Sequence, residues 1–132
     1  MEELSRILGL SKSVEVIPDE SMVWDEDEEL SHLHLLSTSG LIKEINLVTG
    51  EFLNQFLEEE NVSVVNYNEI IHLKPVVIGE RLIVGIRVTE VVNNIVTFKV
   101  IVMRETEKIA EGTVKRVVVS KNYLRRKALE QI

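Results

Sequence analysis

His72 is the side chain of this sequence best suited to proton transfer near neutral pH, because an imidazole gains and loses a proton in that range. It lies between the apolar residues Ile71 and Leu73, and Pro75 follows closely. In this setting it is either a partly buried histidine bonded to the backbone, or a general base or hydrogen-bond donor facing a cleft. The local sequence leaves both interpretations open.

His32 and His34 form a His-x-His pair shortly after five consecutive acidic residues, 25–29. Such a pair beside carboxylates can ligate zinc or a similar metal. Nothing in the sequence fixes a third and a fourth ligand, however, and acidic runs of this kind are usually solvated. We therefore interpret the acidic run and the histidines as an exposed loop and expect no metal site.

Several catalytic and cofactor motifs are absent from the sequence. It has no cysteine, which excludes disulfides, thiolate metal sites and cysteine nucleophiles. Its six glycines are scattered and form no phosphate-binding loop, and the Gly-x-Ser-x-Gly motif of serine hydrolases does not occur. One Trp, two Tyr and three Phe are too few and too dispersed to stack on single-stranded nucleic acid. We expect no bound cofactor.

Length and composition predict one globular domain over 1–132. The chain has a mass of 15.1 kDa, with 45% hydrophobic and 28% charged residues. No apolar run approaches the roughly 20 residues that a membrane span needs. The acidic N-terminal segment also lacks the basic region and the long apolar stretch of a signal peptide. We expect a cytoplasmic protein that does not contact a membrane.

The net charge of −7 is unevenly distributed along the chain. Residues 1–60 carry fifteen Asp or Glu against three Lys or Arg, whereas residues 61–132 carry seven against twelve. Because contacts to phosphates need a positive face, the acidic half argues against nucleic acid as a partner. The basic half leaves room for a smaller anionic ligand.

A long helix is the first element that would position these side chains. Apolar residues recur at three- and four-residue steps and predict a helix over 35–59 with a core-facing side and an N-cap among residues 37–39. The members of this stripe are Leu41, Ile45, Val48, Phe52 and Phe56. Gly50 inside the helix costs about 1 kcal/mol relative to alanine. We therefore expect close packing against another element at Gly50.

Strands with alternating apolar residues follow the helix over 61–120. Asn93-Asn94 is a two-residue hairpin signal and 106–108 the next turn, so we expect a four-stranded antiparallel β-meander. Several of these strands are apolar on both faces. A second sheet or a second subunit should cover part of that surface.

The two ends of the chain complete the predicted fold. Residues 1–34 are interpreted as an N-terminal arm and acidic loop, with a short amphipathic helix or a loosely held segment over 1–12 and a first strand around 14–17. Residues 121–132 form a basic helical tail. The fold class is therefore α+β, with a long central helix wrapped by an antiparallel β-sheet.

Three groups of residues occur in an order that is characteristic of a known family. They are Leu36-Ser37-Thr38-Ser39 at the helix start, Ser63 to Leu73 with Pro75 and Gly79, and Ile109-Ala110-Glu111-Gly112-Thr113 followed by Lys115 to Val119. Over roughly 35–124 the chain resembles the hot-dog-fold thioesterases, most closely the fluoroacetyl-CoA thioesterase-like branch. The resemblance implies a hot-dog fold, and a homodimer or higher oligomer with ligand clefts between subunits.

The resemblance also implies site residues. A Thr, a Glu and a His act together in that branch, and their spacing falls here on Thr38, Asn46 and His72. The threonine and the histidine match, whereas an amide replaces the carboxylate. Two further positions depart from the family, since a usual glycine is Val65 and a usual histidine is Val114. A neutral amide cannot attack a thioester or deprotonate water, but it can orient water or donate to an oxyanion.

The function that the resemblance implies is hydrolysis of a small acyl-CoA thioester. Thr38 would hydrogen-bond the thioester or water, and His72 would transfer protons. Asn46 would orient water or stabilise a developing oxyanion. Because Asn46 replaces the expected carboxylate, the alternative is a non-catalytic hot-dog protein that binds acyl-CoA or a related metabolite. A hydratase or dehydratase acting on an acyl thioester is a third alternative.

Coenzyme A would enter such a site as part of the substrate. The residues that could bind its phosphates are Lys115, Arg116, Arg125 and Arg126. A general contribution to surface solubility explains these four residues equally well.

Overall fold

The computed structural model describes residues 2–131, so the predicted domain ends, Met1 and Ile132, lie outside the described residues. One five-stranded antiparallel sheet packs against a long helix, which confirms the predicted α+β class. The elements are β1 (Ser11–Val16), α1 (Thr38–Asn54), β2 (Asn61–His72), β3 (Leu82–Val92), β4 (Ile95–Arg104), β5 (Glu107–Ser120) and α2 (Lys121–Leu129). Within 2–131, neither helix is long and apolar enough to cross a membrane.

The central helix is shorter at both ends than the predicted 35–59. Ser37 is the N-cap, and its hydroxyl accepts from the backbone N–H of Gly40 at 2.9 Å. Leu35 and Leu36 lie before the cap and form isolated β-bridges instead of a helical turn. The apolar periodicity continues past Asn54, but the chain there tightens into turns. The pattern therefore predicted the helical face better than it predicted the ends.

The strand order corrects the predicted four-stranded meander. The sheet runs β1-β3-β4-β5-β2, so only β3, β4 and β5 form a meander, and β2 pairs with β5. Tight turns at Asn93, with φ of 55°, and at Glu105, with φ of 53°, hold the meander together. The connection over 73–81 is too long for a hairpin and crosses the sheet. Since β1 already pairs with β3, β2 takes the free edge of β5.

The core lies between α1 and one face of the sheet. The predicted helical stripe is buried at Leu41, Ile45, Val48 and Phe52. The Phe52 ring meets the Phe98 ring of β4 edge to face, with the centroids 6.0 Å apart. The apolar side chains of β3 and β4 that face the helix are also buried.

The N-terminal segment is packed onto this core and is not a loose arm. A 3₁₀ helix spans Glu2–Ile7, and both Leu4 and Ile7 are buried. The N–H of Gly9 then donates to the carbonyl of Val88 at 2.9 Å. Of the two interpretations of 1–12, the short helix is therefore correct for the described residues.

Candidate functional site

Thr38 and His72 meet although 34 positions separate them in the sequence. The Thr38 Oγ1 and His72 Nδ1 atoms are 2.9 Å apart, which is a hydrogen bond. Thr38 is the first residue of α1, directly after the Ser37 cap, and His72 is the last residue of β2. The pair forms because the end of the β2 edge strand lies beside the N-terminus of the helix.

A cavity of about 260 Å³ adjoins this pair. Besides Thr38 and His72, its walls are formed mainly by Trp24, Leu35, Leu36, Leu73, Lys74 and Pro75. The Trp24 indole is fixed by a 3.0 Å hydrogen bond from its Nε1 to Glu26. No Asp or Glu among the described residues lines the cavity. An imidazole and a hydroxyl in a mostly apolar pocket suit a reaction that moves protons at a small uncharged group.

Of the two ring nitrogens of His72, Nδ1 is hydrogen-bonded to Thr38 and Nε2 is not hydrogen-bonded within the described residues. The Nε2 atom is also buried. If Thr38 donates to Nδ1, Nε2 carries the ring proton, and in the other tautomer Nε2 is free to accept a proton. Burial lowers the pKa of His72 below its ordinary 6.5, and the Lys74 backbone opposes this in part. The neutral form, which can act as a base, is thus favoured.

Asn46 lies apart from Thr38 and His72 within the same chain. Eight helical positions separate it from Thr38, or about 12 Å along the axis. Its Oδ1 accepts a 2.7 Å hydrogen bond from Nδ2 of Asn68 on β2. In this orientation, the Nδ2 group of Asn46 donates no hydrogen bond within the described residues. The structure therefore brings together two of the three predicted site residues and places the third beside a different amide.

Asn68 is a residue of this region that sequence reasoning missed. It is four positions before His72, and the two-residue period of a strand places both side chains on the same face. The Oδ1 of Asn68 is buried without a hydrogen-bond partner in the described part of the chain. Strand alternation alone could have pointed to Asn68, once His72 was singled out.

Arg116 explains the glycine in the middle of α1. A Cβ atom at Gly50 would lie 2.5 Å from Nη2 of Arg116, so the guanidinium occupies the space that a side chain would need. This confirms the close packing expected at Gly50. The Nε of Arg116 donates to Ser63 at 3.2 Å, and burial lowers the pKa of the guanidinium below its ordinary value. Arg116 and Asn46 both line a second cavity of about 300 Å³.

The four basic residues suggested for coenzyme A phosphates do not form one patch. Lys115 and Arg116 are consecutive in β5 and point to opposite faces of the sheet. The Lys115 ammonium lies 5.2 Å from the centre of the Tyr67 ring, whereas Arg116 packs against α1. Arg125 and Arg126 are on α2, where Nη1 of Arg125 donates to Asn122 at 2.7 Å.

The acidic run lies in an exposed loop, as predicted, and the two histidines that follow it are at a short 3₁₀ helix, Ser31–Leu33. All five acidic residues of 25–29 are exposed, and so are His32 and His34. Nδ1 of His34 lies 3.2 Å from the carboxylate of Glu20. Across 2–131, no three His, Asp or Glu side chains come together as metal ligands would.

The sequence matches one protein-family model over residues 18–122. That model describes the fluoroacetyl-CoA-specific thioesterase FlK. The matched region contains α1, the four strands from β2 to β5, and the residues Thr38, Asn46 and His72. No curated protein sequence matches significantly.

Solved structures share the fold at low sequence identity. A hot-dog-like protein from Thermanaerovibrio acidaminovorans is 24% identical, with a TM-score of 0.86 over 95% of this chain and 92% of that chain. A thioesterase-superfamily protein from Thermus thermophilus is 23% identical, with a TM-score of 0.80 over 94% and 93%. A variant of FlK in complex with fluoroacetate and CoA is 14% identical, with a TM-score of 0.78 over 89% and 98%. The predicted hot-dog fold is confirmed.

Proposed function

The chain belongs to the fluoroacetyl-CoA-specific thioesterase family, and on this premise we propose that it hydrolyses the thioester bond of a small acyl-CoA. The observation that carries the proposal is the 2.9 Å contact between Thr38 and His72 beside a cavity of about 260 Å³. A cavity of that size suits a short acyl group. A cytoplasmic location is part of the proposal, since coenzyme A thioesters are intracellular metabolites.

His72 is the proton-transfer group in this proposal. A neutral imidazole takes a proton from the attacking water as its oxygen bonds to the thioester carbonyl carbon. The tetrahedral intermediate then collapses, the C–S bond breaks, and the proton is passed to the departing sulfur. Burial supports this role because it keeps the ring unprotonated and ready to accept.

Thr38 positions this ring and contacts the substrate. The contact between its hydroxyl and Nδ1 of His72 fixes the plane of the imidazole, and in the tautomer that this role needs Nδ1 donates to the hydroxyl and Nε2 is free to accept a proton. Thr38 is exposed at the helix N-terminus, where the first backbone N–H groups carry partial positive charge. Negative charge that develops on the thioester oxygen would be stabilised there.

Asn46 acts in the proposal as a donor and not as a base. With its Oδ1 held by Asn68, its Nδ2 group is free to donate to water or to an oxyanion. At about 12 Å from Thr38 along the helix, it cannot share one carbonyl group with Thr38 of the same chain. We therefore propose that Asn46 reaches the reacting group from across a dimer interface.

The β2 edge supports a homodimer. This twelve-residue strand is at the edge of the sheet, and Glu69 is its only charged residue at neutral pH. Natural proteins usually protect such an edge with charges, proline or a covering element. Val64, Tyr67 and Ile71 of the same strand expose much of their apolar surface. Pairing of two β2 edges would satisfy the backbone groups and cover these side chains.

Sedimentation tests the assembly. At micromolar concentration, the protein should sediment with twice its chain mass of 15.1 kDa. Dilution should yield a less stable species, because the β2 edge then returns to water. A folded monomer that persists at micromolar concentration would contradict the dimer and any cleft shared between subunits.

A screen of short, branched and aromatic acyl-CoA esters tests the activity, with release of the free thiol as the readout. We expect measurable hydrolysis of at least one short ester. Thr38→Val should lower it about tenfold or more, because the hydroxyl is lost at constant shape, whereas Thr38→Ser should retain most of it. If no ester is cleaved but a non-hydrolysable acyl-CoA analogue binds, the protein is a binding module. If neither occurs, the acyl-thioester proposal is wrong.

The Asn46→Glu variant tests whether the amide has weakened an ancestral mechanism. The new carboxylate can still accept from Asn68, and it supplies the base that the family uses. We expect a rise in turnover of about tenfold, with Asn46→Gln as the matched neutral control of the same length. A fall in turnover for the glutamate variant alone would instead indicate a mechanism that depends on the amide.

A further inference from the structure

Four charged side chains form a network behind the wall of the cavity of about 260 Å³. Arg104 is the last residue of β4, and Glu107 is the first residue of β5. Nη1 of Arg104 lies 2.7 Å from the carboxylate of Glu80, and Nη2 lies 2.5 Å from Oε1 of Glu107. The other carboxylate oxygen of Glu107 is 2.6 Å from Nζ of Lys74. We call these four residues the Arg104 clamp.

The clamp holds the connection over 73–81 near both of its ends. Lys74 lies at the beginning of this connection and Glu80 near its end, and Nη1 of Arg104 also donates to the carbonyl of Pro75 at 3.3 Å. A planar guanidinium can bind several oxygens at once in fixed directions, which a lysine ammonium cannot do in the same geometry. Hydrogen bonds from Lys74 and from Arg104 lower the pKa of Glu107 to about 2. Its carboxylate is therefore charged at any pH suitable for an enzyme assay.

The connection over 73–81 is linked directly to both residues of the Thr38–His72 pair. It begins immediately after His72, and its first three residues line the cavity. Val76 is fully buried, and its carbonyl accepts from the backbone N–H of Leu36 at 2.7 Å. Leu36 is only two positions before Thr38. Movement of this connection would therefore displace both side chains of the pair.

We propose that Arg104 and Glu107 are positioning residues for thioester hydrolysis, an inference that rests on the proposed function. Neither residue lines the cavity, so both act through the connection over 73–81 and set the imidazole of His72 against Thr38. Partly exposed ion pairs contribute little to stability, whereas a misplacement of about 1 Å can lower a rate by about a hundredfold. The clamp should therefore affect the rate of hydrolysis more than it affects the stability of the fold.

The kinetics of three clamp variants test this role. Arg104→Gln and Glu107→Gln should each lower kcat for the best acyl-CoA about tenfold, while KM stays within about twofold and the melting temperature changes little. Arg104→Lys should recover only part of kcat, because it keeps the charge but loses the planar fork. Unchanged kcat in both glutamine variants would overturn the proposal.

Glu111→Gln is the matched control for Glu107→Gln. Glu111 is on the same strand and pairs with Lys108 at 2.9 Å, and its side chain is 35% exposed, against 36% for Glu107. The control thus removes one carboxylate of the same kind, but that carboxylate makes no ion pair to the connection over 73–81 within the described residues. Glu111→Gln should have the kcat and KM of wild type. A loss equal to that of Glu107→Gln would contradict the role of the clamp.

NMR titration of His72 separates this inference from the proposed activity, because it needs no substrate. The chain has three histidines, and His72→Ala identifies the signal. Burial lowers the pKa of His72, and a smaller effect of the Lys74 backbone raises it. A displaced connection weakens both effects, so this pKa should rise toward its ordinary 6.5 in Arg104→Gln and in Glu107→Gln alike. A purely electrostatic effect would instead raise the pKa in Arg104→Gln and lower it in Glu107→Gln.

The two measurements distinguish the possible failures. If no thioester is cleaved but the pKa of His72 rises in both glutamine variants, the proposed activity fails and the link from the clamp to the ring is supported. If thioesters are cleaved but the pKa shifts in opposite directions, or does not shift, the positioning inference fails alone. If Arg104→Gln does not fold, Glu107→Gln and Arg104→Lys carry the same test. Loss of folding in all three variants would show that the clamp is a structural element and would overturn the proposal.

Discussion

Replacing His72 by alanine should lower the rate of thioester hydrolysis by about a hundredfold or more while the protein stays folded. The variant loses the only imidazole that lines the cavity of about 260 Å³ among the described residues. No described Asp or Glu in that cavity could take its place. The measurement is kcat for the best acyl-CoA of the screen, together with the melting temperature. Unchanged turnover with a lower melting temperature would show that His72 is only a partly buried structural residue.

The pH profile gives an independent check of the same group. Because burial lowers the pKa of His72, the neutral base persists below pH 6.5, where an ordinary histidine would be mostly protonated. The acidic limb of kcat/KM should therefore fall with an apparent pKa below 6.5, and His72→Ala should lack that limb. The free energy of unfolding should also fall at low pH. His72 binds a proton more readily in the unfolded chain than in the folded protein, so acid favours the unfolded chain.

The sequence predicted local structure well because the relevant signals are local. The stripe through Leu41, Ile45 and Phe52 defines the buried face of α1, and the tight turn at Asn93 joins β3 to β4. Strand order was predicted less well. The pairing of β2 with β5 depends on which sheet edge is free after β1 has paired, and no residue of β2 encodes that outcome.

The family resemblance predicted residues of the candidate site, but the contacts between them could not be predicted from the sequence. The resemblance named Thr38 and His72, but their 2.9 Å contact depends on how the end of β2 meets the start of α1. The partner of Asn46 could not be predicted, because the Asn46–Asn68 contact joins a helix to a strand 22 positions away. The basic residues were grouped by proximity in sequence, whereas strand alternation separates Lys115 from Arg116.

Gly112 is the residue at which a single methyl group should have the largest effect on stability. It lies in β5 and pairs with Ile70 of β2. A Cβ atom built there would overlap the carbonyl oxygen of Glu69 and lie 2.9 Å from the Cα of Ile70. Both neighbours are backbone atoms of the paired strand, so they cannot move aside as a flexible side chain could. The glycine thus permits the close approach of β2 to β5.

Gly112→Ala should destabilise the fold by about 3 kcal/mol or more, near the upper end of overpacking costs. For a domain of this size, the loss corresponds to a fall in melting temperature of roughly 10 °C. Gly85→Ala is the matched control, because Gly85 also lies within a strand but its Cβ would make only ordinary contacts, at 3.6 Å to the carbonyl oxygen of Ile101 and 3.9 Å to Oγ of Ser13. That variant should remain within about 1 kcal/mol of wild type, since alanine loses less backbone entropy on folding than glycine.

The two glycine variants also test how the sheet holds the candidate site. In the register of β2 against β5, Gly112 opposes Ile70, and His72 opposes Ala110 two residues further along. A Gly112→Ala protein that remains folded must therefore move β2 near His72, which would lengthen the contact to Thr38 and lower kcat more than it changes KM. Gly85 is in β3, which does not pair with β2, so Gly85→Ala should leave both kinetic constants unchanged. Equal stability and equal kinetics of the two variants would contradict the close packing of β2 on β5.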